Sequence, residues 1–187
     1  MAPEGLYLFP DFLSDDEEAE LAYAIDNAPW QTDLKRRVQH YGWRYDYSAR
    51  RVAPSDRLGP LPAWMTQVLL KLNRLKLFPK SPEQAIVNEY LPGQGIAPHI
   101  DCVPCFGPVI ASLSLCSACE MRLDTRQTAR KAVLHLPRKS LLLLTGPARY
   151  DWQHAIAARK TDPNPNAPTA ARIKRERRIS ITFRSLA

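Results

Sequence analysis

The spacing of apolar residues changes near residue 84, and that change limits the folds open to this chain. Before it, apolar positions recur at helical intervals. Ser14-Asp15-Asp16-Glu17 reads as a capping box, and its acids suit a helix N-terminus. The helix it starts is expected to reach about Asn27, with Leu21 and Ile25 on its buried side. A second helix is expected from near Pro62, with Trp64, Val68, Leu72 and Leu75 as its apolar stripe, flanked by Met65 and Leu69. After residue 84 the period becomes two. Strands are predicted near 85–91, 109–115, 119–124, 131–136, 140–145, 151–156 and 178–184. Helices first and strands after predict an α+β domain, with helices packed on one face of a mainly antiparallel sheet. Thr161–Ala171 (TDPNPNAPTAA) has three prolines and reads as a loop or partly disordered segment.

The chain has 187 residues, which predicts a single domain over 1–187 with a core that needs no disulfides. No apolar run approaches the ~18 residues of a membrane span, so no membrane partner is expected. The N-terminus turns acidic early, without the basic start and apolar stretch of a secretory signal. All four cysteines lie between 102 and 119, so a disulfide framework is not expected and the cytoplasm is the expected compartment. The net charge of +7 is unevenly spread. Residues 35–51 hold six basic residues and one acid, and residues 159–184 hold eight basic residues and two acids. Either a basic face meets an anionic partner or these charges are simply solvated.

His99 and Asp101 stand two apart, so an extended backbone turns both to one face. His154 lies in a predicted strand far along the chain. Two imidazoles and one carboxylate on one side of a metal form the facial triad of non-haem Fe(II) oxygenases, which leaves positions open for co-substrate and O2. In Arg178-Ile-Ser-Ile-Thr-Phe-Arg184, alternation puts Arg178, Ser180, Thr182 and Arg184 on one face and Ile179, Ile181 and Phe183 on the other. Inside a barrel those two guanidinium groups need anions, and a dicarboxylate supplies one carboxylate to each. The other reading is an edge strand with solvated arginines. Asn88 and Tyr90 share a face of the strand over 85–91 and can hydrogen-bond the same anion.

Aromatic rings stand at every second position from Tyr41 through Trp43 and Tyr45 to Tyr47, next to Arg44. That pattern suits base stacking with phosphate contact, or an amphipathic strand whose rings enter the core. Cys102-x-x-Cys105 and Cys116-x-x-Cys119 have zinc spacing, although Cys102 follows a candidate iron ligand and Cys116 ends a strand-like run. Free thiols are the other reading, and His40 and His135 read as satisfied histidines.

Together NEYLPGQGIAPHID, the histidine of RYDWQH and RISITFR resemble the AlkB family of Fe(II)/2-oxoglutarate dioxygenases. The resemblance runs from about residue 5 to the end. RRVQHYGWRYDY, SLSL and RKSLLLLTGPARYDWQH look closest to the branch that hydroxylates a modified wobble uridine in transfer RNA. The resemblance implies a double-stranded β-helix (jelly-roll) core with helices against one sheet. It implies Fe(II) on His99, Asp101 and His154. Asn88 and Arg184 would hold the C1 carboxylate of 2-oxoglutarate, and Tyr90 and Arg178 its far carboxylate. Ser180 stands where the family often has Asn, which shortens or removes one contact. The implied reaction uses O2, decarboxylates 2-oxoglutarate to succinate and hydroxylates a C–H bond. On an N-methyl group the product collapses to formaldehyde. The partner is then a nucleic acid, RNA or single-stranded DNA, contacted by Arg36, Arg37, Tyr41, Trp43 and Arg44. A protein or small-molecule substrate, or a non-catalytic zinc-binding nucleic-acid module, are the alternatives.

Overall fold

The computed structural model describes residues 2–32, 34–125 and 129–187. In chain order the elements are β1 (Leu6–Phe9), α1 (Asp15–Asp26), β2 (Val38–Tyr41), α2 (Thr66–Arg74), β3 (Gln84–Tyr90), β4 (Ile96–His99), β5 (Phe106–Leu115) and β6 (Cys119–Thr125). They continue with β7 (Lys131–Leu136), β8 (Leu141–Leu144), α3 (Gly146–Tyr150), β9 (Trp152–Ile156), β10 (Thr161–Asn164), β11 (Ala167–Lys174) and β12 (Arg178–Leu186). A six-stranded sheet has the order β1-β8-β5-β12-β3-β2, and a four-stranded sheet the order β4-β9-β6-β7. All strand pairings among the described residues are antiparallel. This is the jelly-roll arrangement that the resemblance implies, with the helices against the larger sheet.

Alternation along β12 separates two cores. Ile179, Ile181 and Phe183 are fully buried with Leu21 and Ile25 of α1 and Val68 and Leu72 of α2. On the other side, Ile110, Leu142 and Leu144 of the large sheet meet Met121, Leu136 and Ile156 of the small one. The polar face of β12 points into this second space, so the functional side chains lie between the sheets. α1 begins at the expected capping box, in which Ser14 accepts from the Glu17 N–H and Glu17 accepts from the Ser14 N–H. α2 begins later than expected, after a 3-10 turn over Ala63–Met65.

The proline-rich 161–171 segment is not a loop. β10 and β11 form a two-stranded ribbon, with Asp162 paired to Ile173. Prolines are tolerated because such strands are edges. A bare ribbon is marginal in water, and charge anchors the base of this one. Buried Asp162 accepts from Arg175 Nε at 2.7 Å and Nη2 at 2.8 Å, and from Arg159 Nε at 2.8 Å.

The cysteines do not gather into a zinc site. Cys102 and Cys105 form a disulfide, while free Cys116 packs on the helix-side core and free Cys119 lies in the intersheet core. Among the described residues, no helix is long and apolar enough to cross a membrane.

Candidate active site

β4 and β9 set the first part of the site. His99 and His154 are directly paired across them, and Gly95 permits the approach, since a Cβ there would fall 2.2 Å from the Ile156 carbonyl oxygen. His99 Nδ1 lies 2.8 Å from the Ala97 carbonyl. The ring donates there, which leaves Nε2, 3.9 Å from Asp101 Oδ1, free to serve as a ligand atom. Asp101 follows just past β4, and one ligand atom from each of His99, Asp101 and His154 fits within 4.8 Å. They are the one group of this kind among the described residues. Desolvation lowers His154 to about 4, with His99 adding to the shift. Its imidazole is therefore neutral and able to ligate at neutral pH.

Burial pushes the Asp101 carboxyl up, but the charge and hydrogen bonds of the Arg184 guanidinium together with the two histidines outweigh it and hold the group well below the usual carboxylate range. Arg184 grips Asp101 with Nε and Nη2, both at 3.2 Å, and donates from Nη1 to Gln84 at 2.9 Å. Arg149 of α3 steadies the same loop from behind. Its buried guanidinium donates to the carbonyls of Asp101, Cys102, Phe106 and Gly107 at 2.9–3.4 Å.

A cavity of about 580 Å³ opens from these residues, lined among others by Asn88, Tyr90, Ser180 and Arg178. Ser180 pairs with Asn88, and Arg178 with Tyr90, across β12 and β3. Arg178 lies over the Tyr90 ring at 5.5 Å and donates from Nη2 to Ser114 at 2.8 Å. Its Nε and Nη1 are buried without a hydrogen-bond partner among the described residues. An unpaired guanidinium facing a cavity is costly without an anion to meet it. These residues therefore fit both groups: a His-Asp-His set for a divalent ion, and a cationic pocket for the dicarboxylate.

The expected nucleic-acid residues scatter. Arg36 turns into the cavity, where its Nε donates to Asn88 Oδ1 at 2.9 Å. Arg37 is held by Glu89 at 2.5 and 2.9 Å and stacks on Trp30, which makes it part of the scaffold. Tyr41 packs edge-on against Trp64 in the helix-side core. Trp43 is half-buried, bridged through its backbone to Arg57. Arg44 is exposed and borders a smaller cavity of about 400 Å³ with His40 and Asp46. The even alternation breaks at Gly42, whose φ of +74° and tight fit against the Glu83 carbonyl admit only glycine. Beyond that break, Tyr45 and Tyr47 line the main cavity, edge to face at 5.1 Å, with Arg50 beside them. Their place in the aromatic run was visible in the sequence, but the phase change at Gly42 was not. For Arg149 no spacing gave a signal.

A family model described as the 2OG-Fe(II) oxygenase superfamily matches residues 5–184. An Arabidopsis thaliana protein named alkylated DNA repair protein ALKBH8 homolog is 36% identical over 207 residues, covering 97% of this chain and 58% of its own length. An Acanthamoeba polyphaga mimivirus protein, uncharacterized protein L905, is 33% identical, covering 97% of this chain and 85% of its own. The Xenopus tropicalis tRNA (carboxymethyluridine(34)-5-O)-methyltransferase alkbh8 is 35% identical, and this chain spans 32% of its length. The solved structure of OsALKBH1 superposes with a TM-score of 0.74 at 18% identity, covering 99% of both chains. The chain belongs to the 2OG-Fe(II) oxygenase superfamily, as an AlkB-like, 2-oxoglutarate-dependent dioxygenase using Fe(II), 2-oxoglutarate and O2.

Proposed function

We propose that this dioxygenase oxidises a modified base in single-stranded nucleic acid, with RNA as the favoured polymer, either removing an N-methyl group or leaving a stable hydroxyl. The observation that carries the reading is that the paired rings of Tyr45 and Tyr47, with Arg50, line the same cavity as the two histidines. Aromatic faces beside cations suit a base and its phosphates. A base must leave its stack to enter such a cavity, and single strands allow that most easily. The names of relatives support the class but differ on the polymer: one refers to alkylated DNA, one to a transfer-RNA uridine, and a Caenorhabditis elegans relative is a DNA N6-methyl adenine demethylase.

Bound Fe(II) and 2-oxoglutarate would supply the oxidation, decarboxylating the co-substrate to succinate as an oxygen atom passes from O2 to a substrate C–H bond. His99, Asp101 and His154 would hold the metal, and Arg178 would meet the far carboxylate of the co-substrate. Arg184 keeps Asp101 ionised, and Arg149 holds the loop behind it.

The test is mass spectrometry of cellular RNA and DNA with and without this protein, followed by succinate release on the base that changes. Succinate released with a protein extract, and with neither RNA nor DNA, would move the substrate to the protein class.

A further inference from the structure

The backbone around Arg36 is pinned on both sides. Gln94 donates from Nε2 to the Lys35 carbonyl at 2.8 Å, and the Glu89 N–H donates to the Arg37 carbonyl at 3.1 Å. The Arg37 side chain is held on the other face of β3 by Glu89. Arg36 alone of these three neighbours reaches the cavity. It makes the 2.9 Å bond to Asn88 Oδ1 and lies 6.0 Å from the Tyr90 ring centroid, whose ring Arg178 also covers.

A carboxamide has an acceptor on one side and a donor on the other. An arginine has only donors, so its bond to Asn88 fixes the orientation: oxygen toward Arg36, NH2 toward the cavity. A free asparagine could turn its oxygen inward and repel a carboxylate. We propose that Arg36 is a positioning residue for 2-oxoglutarate, holding Asn88 so that its NH2 faces the co-substrate. This rests on the co-substrate pocket described above, and it gives Arg36 a different task from contacting phosphate.

Calorimetric titration of 2-oxoglutarate into the Mn(II)-loaded full chain tests it. Arg36→Met should weaken co-substrate binding ~10-fold or more, the scale of a charge-assisted hydrogen bond. Arg36→Lys, which keeps a donor and the charge, should recover part of the loss. Mn(II) affinity should stay at the wild-type value in both. In an Asn88→Ala background, Arg36→Met should add little, because the group it orients is gone. Wild-type co-substrate affinity in Arg36→Met, or full additivity with Asn88→Ala, would overturn the inference while leaving the pocket standing. Wild-type affinity in Asn88→Ala itself would remove the pocket assignment and the inference with it.

Discussion

His99 and His154 are cross-strand partners, and their rings lie 4.3 Å apart at centroids. The pair proposed to hold the metal is thus fixed by main-chain hydrogen bonding between β4 and β9, and Asp101 joins it from the loop beyond. The loop's own support comes from Arg184 in front and Arg149 behind.

That support changes what removing Asp101 should do. Asp101→Ala should abolish metal binding and turnover, and it should also strand the buried Arg184 guanidinium. Losing one partner of a buried pair costs about 3–5 kcal/mol. Asp101→Asn keeps an acceptor and should lose the metal at a smaller stability cost. Metal stoichiometry and urea unfolding of the two variants check this. Equal stability of wild type and Asp101→Ala would show that the Arg184 contact contributes little.

Arg178 should trade stability for binding. Its Nε and Nη1 have no hydrogen-bond partner among the described residues, so Arg178→Met should leave the metal-free protein at least as stable as wild type while abolishing the further Tm rise that 2-oxoglutarate gives the Mn(II)-loaded protein. Arg178→Lys should restore only part of that rise, because an ammonium cannot copy the planar fork. A full Tm response in Arg178→Met would place the far carboxylate elsewhere.

Acid should weaken the metal-free protein through His40. Its Nδ1 accepts from the Tyr45 N–H at 3.3 Å, and burial, with Arg44 and Arg184 adding to it, lowers the group from 6.5 to about 4. Below pH 6.5 the unfolded chain binds a proton that the folded His40 refuses. This contribution is complete above 6.5 and is lost as pH falls toward 4, amounting to roughly 3 kcal/mol. His154 shifts the same way to about 4. His40→Gln keeps an acceptor for Tyr45, so it should remove roughly 3 kcal/mol of the decline between pH 6.5 and 4. An unchanged slope in unfolding free energy against pH would contradict this.

Salt dependence should separate the arginines by environment. Replacing Arg44 and Arg50 together with Gln should flatten the slope of oligonucleotide binding by about 1.4 units if each meets one phosphate of a single strand. Arg37→Gln should leave the slope alone and reduce stability, because Arg37 is spent on buried Glu89. An Arg37 effect on slope equal to that of the pair would mean that its ion pair opens on binding.

Much of this site was legible because it rests on strands, where a period of two states which side chains share a face. The sequence RISITFR placed Ile179, Ile181 and Phe183 toward the helices and Arg178 and Arg184 toward the cavity, as the structure has them. His-x-Asp was legible only in part, because β4 ends at His99 and Asp101 reaches the same cluster from the loop beyond it. Phase breaks hid the rest. Gly42 divides an even run of aromatics, sending Tyr41 to Trp64 and Tyr45 and Tyr47 to the cavity. Arg37 was read as a free cation because Glu89 lies 52 positions away in sequence. The β10–β11 ribbon was hidden by its prolines, since its stability comes from Asp162, Arg159 and Arg175 at its base. Arg149 finds backbone carbonyls, which leave no trace in residue identity.

β12 is the last strand in sequence, yet it lies between β5 and β3 in the middle of the large sheet. During synthesis the edges of β3 and β5 stand open until it arrives, each a template for a wrong partner. Contacts this distant along the chain close slowly. The same strand carries Ile179, Ile181 and Phe183 to one core and Arg178 and Arg184 to the cavity. Core and site are therefore completed in one folding event, and no species with a finished pocket can form ahead of the finished core.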